Sequence, residues 1–294
     1  MRSFHRFVAV GDSATEGLQD IDENGSYRGW ADRLAEHIAN AQDEPLEYAN
    51  LAVRSLRLNE IRRTQFDRAL ALEPDLMSIV GGVNDVIAPR PDFGRIAADF
   101  EAMFTEATSR GITVFTFLMP DPSFLNPLGR YVKERALILA DITRAAARNA
   151  GVLVLDLSEY PVATDPRLWF EDGLHGNWLG HKRMAEAFAN LLGYPGFEHW
   201  DDPLGELPGQ AHALERIGAD LDWAVHWLGP WLGRGLIHRP NGRGVTAKRP
   251  VPEVVRMAHA DTRVDATPAA THSGHRSVVG ARRRTASVVD GRRS

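Results

Sequence analysis

The 294-residue chain contains no cysteine, which excludes disulfides, thiolate metal ligands and a cysteine nucleophile. No uncharged apolar run approaches the roughly 18 residues of a membrane-spanning helix, so no transmembrane segment is expected. The opening segment, MRSFHRFVAV, has too little apolar length for a signal peptide and is expected to form a strand. We therefore expect a cytoplasmic protein. GxSxG and HExxH are also absent, which argues against the nucleophile elbow of α/β-hydrolases and against zincins.

Charge is distributed unevenly along the chain. Residues 234–294 carry 13 Lys and Arg but 4 Asp and Glu, whereas residues 1–233 carry 21 basic and 35 acidic residues. The basic residues are scattered and have no aromatic residues between them, so specific nucleic-acid binding is not expected. Beyond about Arg239, Pro, Gly, Ser, Thr and Arg dominate. This composition predicts that residues 236–294 form a basic, disordered tail.

Short apolar runs alternate with helical patterns up to about residue 193. The runs predict five buried strands: Phe7–Val10, Leu46–Val53, Leu76–Val80, Ile112–Leu118 and Val152–Leu157. This alternation predicts an α/β domain over residues 1–195, with helices on both faces of a five-stranded parallel sheet. Residues 196–235 read as a linker and an amphipathic C-terminal helix packed on that body. The ligand site of such a domain lies at the carboxyl ends of its strands.

Two polar motifs at strand ends suggest nucleophilic catalysis. The first strand ends in Gly11-Asp12-Ser13, which places a hydroxyl at the crevice, although a helix N-cap serine would also fit this motif. On the loop after the fifth strand, Asp172 precedes His175 by three residues. An aspartate at that spacing can orient the imidazole while the other ring nitrogen faces a hydroxyl.

Two further motifs suggest an oxyanion hole. Asn84, in the GGVND segment after the third strand, can aim its amide at developing negative charge. The turn that runs from Asn50 to Ser55 after the second strand can supply a backbone N–H. Four motifs each follow a strand of one parallel sheet, so they are expected to converge on one crevice. Such an arrangement of four motifs is not expected by coincidence.

The order GDS, GxND and DxxH resembles the SGNH (GDSL-type) hydrolases over about residues 4–193. The resemblance implies a flavodoxin-like three-layer α/β/α fold and hydrolysis of esters or thioesters through an acyl-enzyme, with no metal or organic cofactor. By position it implies that Ser13 is the nucleophile and that its N–H is the first oxyanion donor. It likewise implies that Asn84 is the side-chain donor, His175 the base and Asp172 the orienting acid.

One position departs from the family's pattern. The second block of the family usually ends in a glycine whose N–H completes the hole, and alignment on Asn50 places Ser55 there. The Ser55 N–H serves equally well if φ is negative. If the turn needs a positive φ, Ser55 is strained.

Some alternatives stay open on sequence grounds. A metal site at Asp172, His175 and His181 is disfavoured, because the DxxH motif already has a role. Arg54 is expected to pair with an acid rather than to bind an anionic substrate. The expected activity is hydrolysis of short-chain acyl esters, with a small-molecule ester as the partner. A carbohydrate O-acetyl esterase and a non-catalytic binding module on the same fold are the alternatives.

Overall fold

The computed structural model describes residues 2–205 and 244–255. Most of the predicted linker and helix at 196–235 lies outside the described residues. The same holds for the predicted tail, apart from residues 244–255.

The described residues contain a six-stranded sheet with the order β5-β4-β3-β1-β2-β6. Its strands are β1 (Arg6–Val10), β2 (Glu47–Asn50), β3 (Leu76–Ile79), β4 (Thr113–Leu118), β5 (Leu153–Asp156) and β6 (Arg249–Val254). Strands β1 to β5 pair in parallel, and β6 runs antiparallel to β2. All five predicted strands are confirmed. The sheet has six strands rather than the expected five.

The extra strand corrects the sequence interpretation of part of the tail. The β6 segment, RPVPEV, pairs Val254 with Glu47 and Glu253 with Tyr48, so disorder is the wrong prediction for these residues. Its two prolines and two charged residues, Arg249 and Glu253, hide the strand from a hydrophobic pattern. An edge strand tolerates prolines, because one side of its backbone has no partner to bond.

Helices cover both faces of the sheet, so the three-layer arrangement is confirmed. They are α1 (Ser13–Glu16), α2 (Gly29–Ala41), α3 (Leu58–Ile61), α4 (Asp67–Ala71), α5 (Val83–Ile87), α6 (Phe93–Ser109), α7 (Pro127–Ala150) and α8 (Trp178–Leu191). A π-helical turn, Arg62–Phe66, joins α3 to α4.

Two apolar clusters form the core, one on each face of the sheet. On β1, Phe7 and Ala9 face the cluster shared with α2 and α8, whereas Val8 and Val10 face the cluster shared with α6 and α7. This alternation is the two-residue period of a strand buried on both faces. Within the described part of the chain, no helix is both long and apolar enough to cross a membrane.

Candidate active site

The end of β1 leads directly into the serine predicted as nucleophile. Ser13 begins α1, and the Asp12 carboxylate caps this helix by accepting from the Ala14 N–H at 3.1 Å. Gly11 is required here by close packing rather than by a left-handed turn. A Cβ at Gly11 would lie 2.9 Å from the carbonyl oxygen of Val80.

A hydrogen-bonded chain joins the three residues predicted to carry the chemistry. The Ser13 Oγ lies 2.8 Å from His175 Nε2, and His175 Nδ1 lies 2.8 Å from Asp172 Oδ2. With the ring proton on Nδ1, the imidazole donates to Asp172 and accepts from the Ser13 hydroxyl. The structure therefore brings together side chains 162 residues apart in the sequence.

The Asp172 carboxylate is held by several donors. Its Oδ1 accepts from the backbone N–H groups of Leu174 at 2.9 Å and His175 at 3.1 Å. Burial acts to raise the pKa of the Asp172 carboxyl, but the hydrogen bonds and charge of His175 and the Leu174 N–H outweigh it and lower the pKa overall. Asp172 is thus ionised at neutral pH. Gln19, which the sequence analysis missed, also donates to Asp172 Oδ2 at 3.4 Å.

The loop that carries Asp172 and His175 is anchored by Asn126. The Asn126 amide donates to the Gly173 carbonyl at 2.9 Å, and its oxygen caps α7 by accepting from the Gly129 N–H at 2.8 Å. Gly173 has φ +61°, and a Cβ there would lie 2.2 Å from Asn126 Nδ2. The Asn-Pro pair that opens α7 is a helix-start signature, but nothing in its spacing links it to residue 173.

The Asn84 amide lies beside the same serine turn. It donates to the Leu56 carbonyl at 3.0 Å and to Asp12 Oδ2 at 3.2 Å. Burial raises the pKa of Asp12 to about 6. The Asn84 amide thus already donates to two acceptors, so it can reach a new negative charge only by exchanging or sharing one of these bonds.

The turn after β2 is held against α1 by an ion pair between the buried Glu16 and the partly exposed Arg54. The Glu16 carboxylate accepts from the Arg54 backbone N–H at 2.8 Å and from Arg54 Nε at 3.0 Å. Arg54 thus pairs with an acid, as expected. Ser55 follows with φ +65°, in the left-handed region. Of the two conformations considered for this turn, the structure has the positive φ, in which a serine backbone is strained.

His181 is a core residue. Its Nδ1 accepts from the Trp30 N–H at 3.2 Å, and its Nε2 donates to the Leu18 carbonyl at 2.9 Å. Burial lowers the pKa of His181 to about 4. Both ring nitrogens are thus engaged in joining α8 to α2 and to the segment after α1.

A cavity of about 270 Å³ opens beside Ser13 and extends between α5 and α7. Asp12, Arg54, Ser55, Asn84, Asp172 and His175 line its polar end. Away from them the lining is mainly apolar and includes Val86, Phe100, Leu118, Val132, Leu139 and Ala140. A second cavity of about 80 Å³, lined mainly by aromatic and aliphatic side chains, also touches His175.

Solved structures of hydrolases share this fold. An α/β hydrolase enzyme from the metagenome of Lake Arreo, Spain, is 16% identical with a TM-score of 0.54, and the match covers 66% of this chain and 97% of that one. A variant of an acetyl xylan esterase from Geobacillus stearothermophilus has the same identity, score and coverage. The lipase/acylhydrolase from Enterococcus faecalis is 21% identical with a TM-score of 0.53, over 63% of this chain and 94% of its own.

At these identities the structural matches establish the fold alone. No curated protein matches the chain in sequence. The model of the GDSL-like lipase/acylhydrolase family, however, matches residues 9–183, which is more than half of the chain and includes the Ser13, Asn84 and His175 positions. The chain therefore belongs to the GDSL-like lipase/acylhydrolase family of ester-bond hydrolases.

Proposed function

We propose that the chain hydrolyses carboxylic esters through an acyl-enzyme formed on Ser13. The observation that carries this proposal is the continuous hydrogen-bonded chain from Ser13 Oγ through His175 to Asp172, with both distances 2.8 Å. This is the arrangement that a hydroxyl needs in order to lose its proton as it attacks a carbonyl carbon.

In the first half-reaction, His175 Nε2 takes the Ser13 proton while Oγ bonds to the ester carbonyl carbon. The ionised Asp172 stabilises the resulting imidazolium through its bond to Nδ1. The tetrahedral intermediate then collapses, the bond to the alcohol oxygen breaks, and His175 protonates the departing alcohol. A water molecule repeats these steps on the acyl-enzyme and releases the carboxylic acid.

The developing oxyanion needs donors on the side of Ser13 away from His175. The Ser13 N–H, the Ser55 N–H and the Asn84 amide are the proposed set. Ser55 N–H has no acceptor among the described residues, whereas the Asn84 amide already donates to Asp12. Each such donor typically contributes about 10²–10³ in turnover.

The test is hydrolysis of a small soluble butyryl ester by wild type, Ser13→Ala and Ser26→Ala. Ser26 is an exposed serine and serves as the matched control. We expect Ser13→Ala to lose about a thousandfold or more in turnover and Ser26→Ala to match wild type. A serine-directed phosphonate should label Ser13 and no other serine.

The same panel separates the rival functions. An acetylated xylooligosaccharide tests the carbohydrate O-acetyl esterase. If wild type hydrolyses it much faster than simple alkyl esters, the substrate class shifts to acetylated sugars. If wild type cleaves no ester faster than Ser13→Ala does, a binding module is the better description.

A further inference from the structure

We infer that the cavity between α5 and α7 is a channel that binds the acyl chain of the substrate and gives the enzyme a preference for straight chains of about eight to ten carbons. The inference rests on the proposed function and adds its substrate class. It departs from the short-chain expectation drawn from the sequence.

The first argument is position. One cavity is lined both by Ser13 and His175 and by the buried side chains of Phe100 on α6 and Thr143 on α7. Leu128, Val132 and Leu139 of α7 also line it, so this helix forms one side of the cavity. An acyl carbonyl at Ser13 would therefore direct its alkyl chain along this helix into the protein.

The second argument is chemistry. The charged side chains that line the cavity, Asp12, Arg54 and Asp172, belong to the segments around Ser13 and His175. The Arg54 charge is already paired with Glu16. A sugar in the inner part of the cavity would leave its hydroxyls without partners, which is costly, whereas an alkyl chain needs none.

The third argument is size. A water-sized group occupies roughly 30 Å³, so a cavity of about 270 Å³ holds about nine such groups. A methylene group is of similar size. An acetyl group would fill about a fifth of this space, and an octanoyl or decanoyl group would fill nearly all of it.

Position 140 offers a way to close the channel. Ala140 lines the cavity, and Ala145 lies on the exposed face of the same helix. Replacing the Ala140 methyl with a benzyl group adds a ring to the lining and narrows the channel beside α7. The same change at Ala145 enters solvent and is the matched control for helix propensity and added apolar surface.

The experiment measures kcat/KM for p-nitrophenyl esters from acetyl to tetradecanoyl, below the concentration at which they form micelles. In wild type, kcat/KM should rise by up to about fourfold per added methylene, the equivalent of roughly 0.8 kcal/mol each, and peak at eight to ten carbons. Ala140→Phe should lower the decanoyl value more than tenfold and change the acetyl and butyryl values less than threefold. Ala145→Phe should keep the wild-type profile.

A wild-type optimum at acetyl, a flat profile, or an equal loss at every length in folded Ala140→Phe would overturn the inference. If Ala140→Phe shows no cooperative melting, the smaller change Ala136→Leu takes its place, because Ala136 also lines the channel.

Binding to Ser13→Ala protein separates this inference from the proposed function. Methyl octanoate should bind at least tenfold more tightly than methyl acetate, and Ala140→Phe should remove the difference. Selective binding without hydrolysis by wild type would support the channel and overturn the proposed function. Hydrolysis without chain-length selectivity in either assay would support the proposed function and overturn the channel.

Discussion

Ser55 is the residue at which the chain differs from the pattern it resembles and at which the backbone is left-handed. A serine at φ +65° carries a steric cost that glycine avoids, on the order of 1–3 kcal/mol. Its N–H belongs to the proposed oxyanion hole, so the strain lies next to the chemistry. The ion pair between Glu16 and Arg54 holds the turn in this conformation.

Ser55→Gly should therefore stabilise the protein. Glycine adds conformational entropy to the unfolded chain, which costs about 0.4–1 kcal/mol of stability. The strain that it relieves in the folded state is larger, so the free energy of unfolding should rise by about 1 kcal/mol. Denaturant unfolding of Ser55→Gly and Ser26→Gly measures this, because Ser26 is exposed and its φ is not positive. Ser26→Gly should lose stability. Turnover of Ser55→Gly should be at least that of wild type, whereas Asn84→Ala should lose about a hundredfold.

The opposite result would be a loss of stability in Ser55→Gly equal to that in Ser26→Gly. The turn would then not be strained by its side chain. A near-silent Asn84→Ala would instead show that the amide, with its bonds to Asp12 and Leu56, is not an oxyanion donor.

The residues that the sequence analysis identified and those it missed differ in the kind of signal they leave. Ser13, Asn84 and His175 each follow a strand, and strand ends of a parallel sheet converge, so order and spacing were enough to bring them together. Gln65 leaves no such signal. Its buried amide makes two 2.9 Å bonds to the backbone of Gly11, 54 residues earlier. Contacts of this kind depend on how distant segments pack, which no local pattern encodes.

At the scale of elements, long periodic helices and apolar strands were predictable, and short or atypical elements were not. The α8 helix, Trp178–Leu191, ends close to residue 193, where the helical patterns of the sequence end. The turns α1 and α5 have four and five residues, too few to show a helical period. The π-helical turn Arg62–Phe66 is equally invisible to a 3.6-residue pattern, yet it lies in the segment that supplies Gln65.

His181 makes the docking of α8 dependent on pH. Its pKa of about 4 lies below the ordinary 6.5, so between these values the unfolded chain binds more protons than the folded one. The stabilisation is complete above pH 6.5 and is lost as pH falls toward 4. One residue of this kind contributes a slope of up to about 1.4 kcal/mol per pH unit and a total on the order of 3 kcal/mol.

We expect His181→Gln to reduce the slope of unfolding free energy against pH between pH 6.5 and 4. The reduction should correspond to nearly one fewer proton taken up on unfolding. Chemical denaturation at half-unit pH intervals measures the slope, with the exposed His199→Gln as control for the loss of one histidine. Asp12, whose raised pKa is about 6, contributes a slope of opposite sign in all three proteins and cancels in the comparison. Equal slopes in wild type and His181→Gln would contradict the conclusion that His181 causes this pH dependence.

At the scale of the whole molecule, the C-terminal region contributes to the body through β6. Lys248, just before this strand, bonds Asp32 Oδ1 at 2.8 Å and the Tyr27 carbonyl at 3.1 Å. Arg249 lies over the Tyr48 ring with its guanidinium carbon 5.3 Å from the ring centroid. These contacts cover the edge of β2, the strand that leads into the turn carrying Ser55. Cutting the chain before or after β6 should therefore have different effects.

Two truncations distinguish the parts of this region. A chain ending at residue 255 keeps β6 and should match the full-length protein in melting temperature and, within about twofold, in turnover of a small ester. A chain ending at residue 243 loses β6 and the Lys248 contacts. We expect its free energy of unfolding to fall by about 2 kcal/mol, which would lower its melting temperature by roughly 4–8 °C. Its turnover per folded molecule at 20 °C should persist, because every proposed catalytic residue precedes Gly176. Equal melting temperatures of the two truncated chains would show that β6 adds nothing to stability. Loss of turnover in the folded shorter chain would show that the edge of β2 is needed for an intact active site.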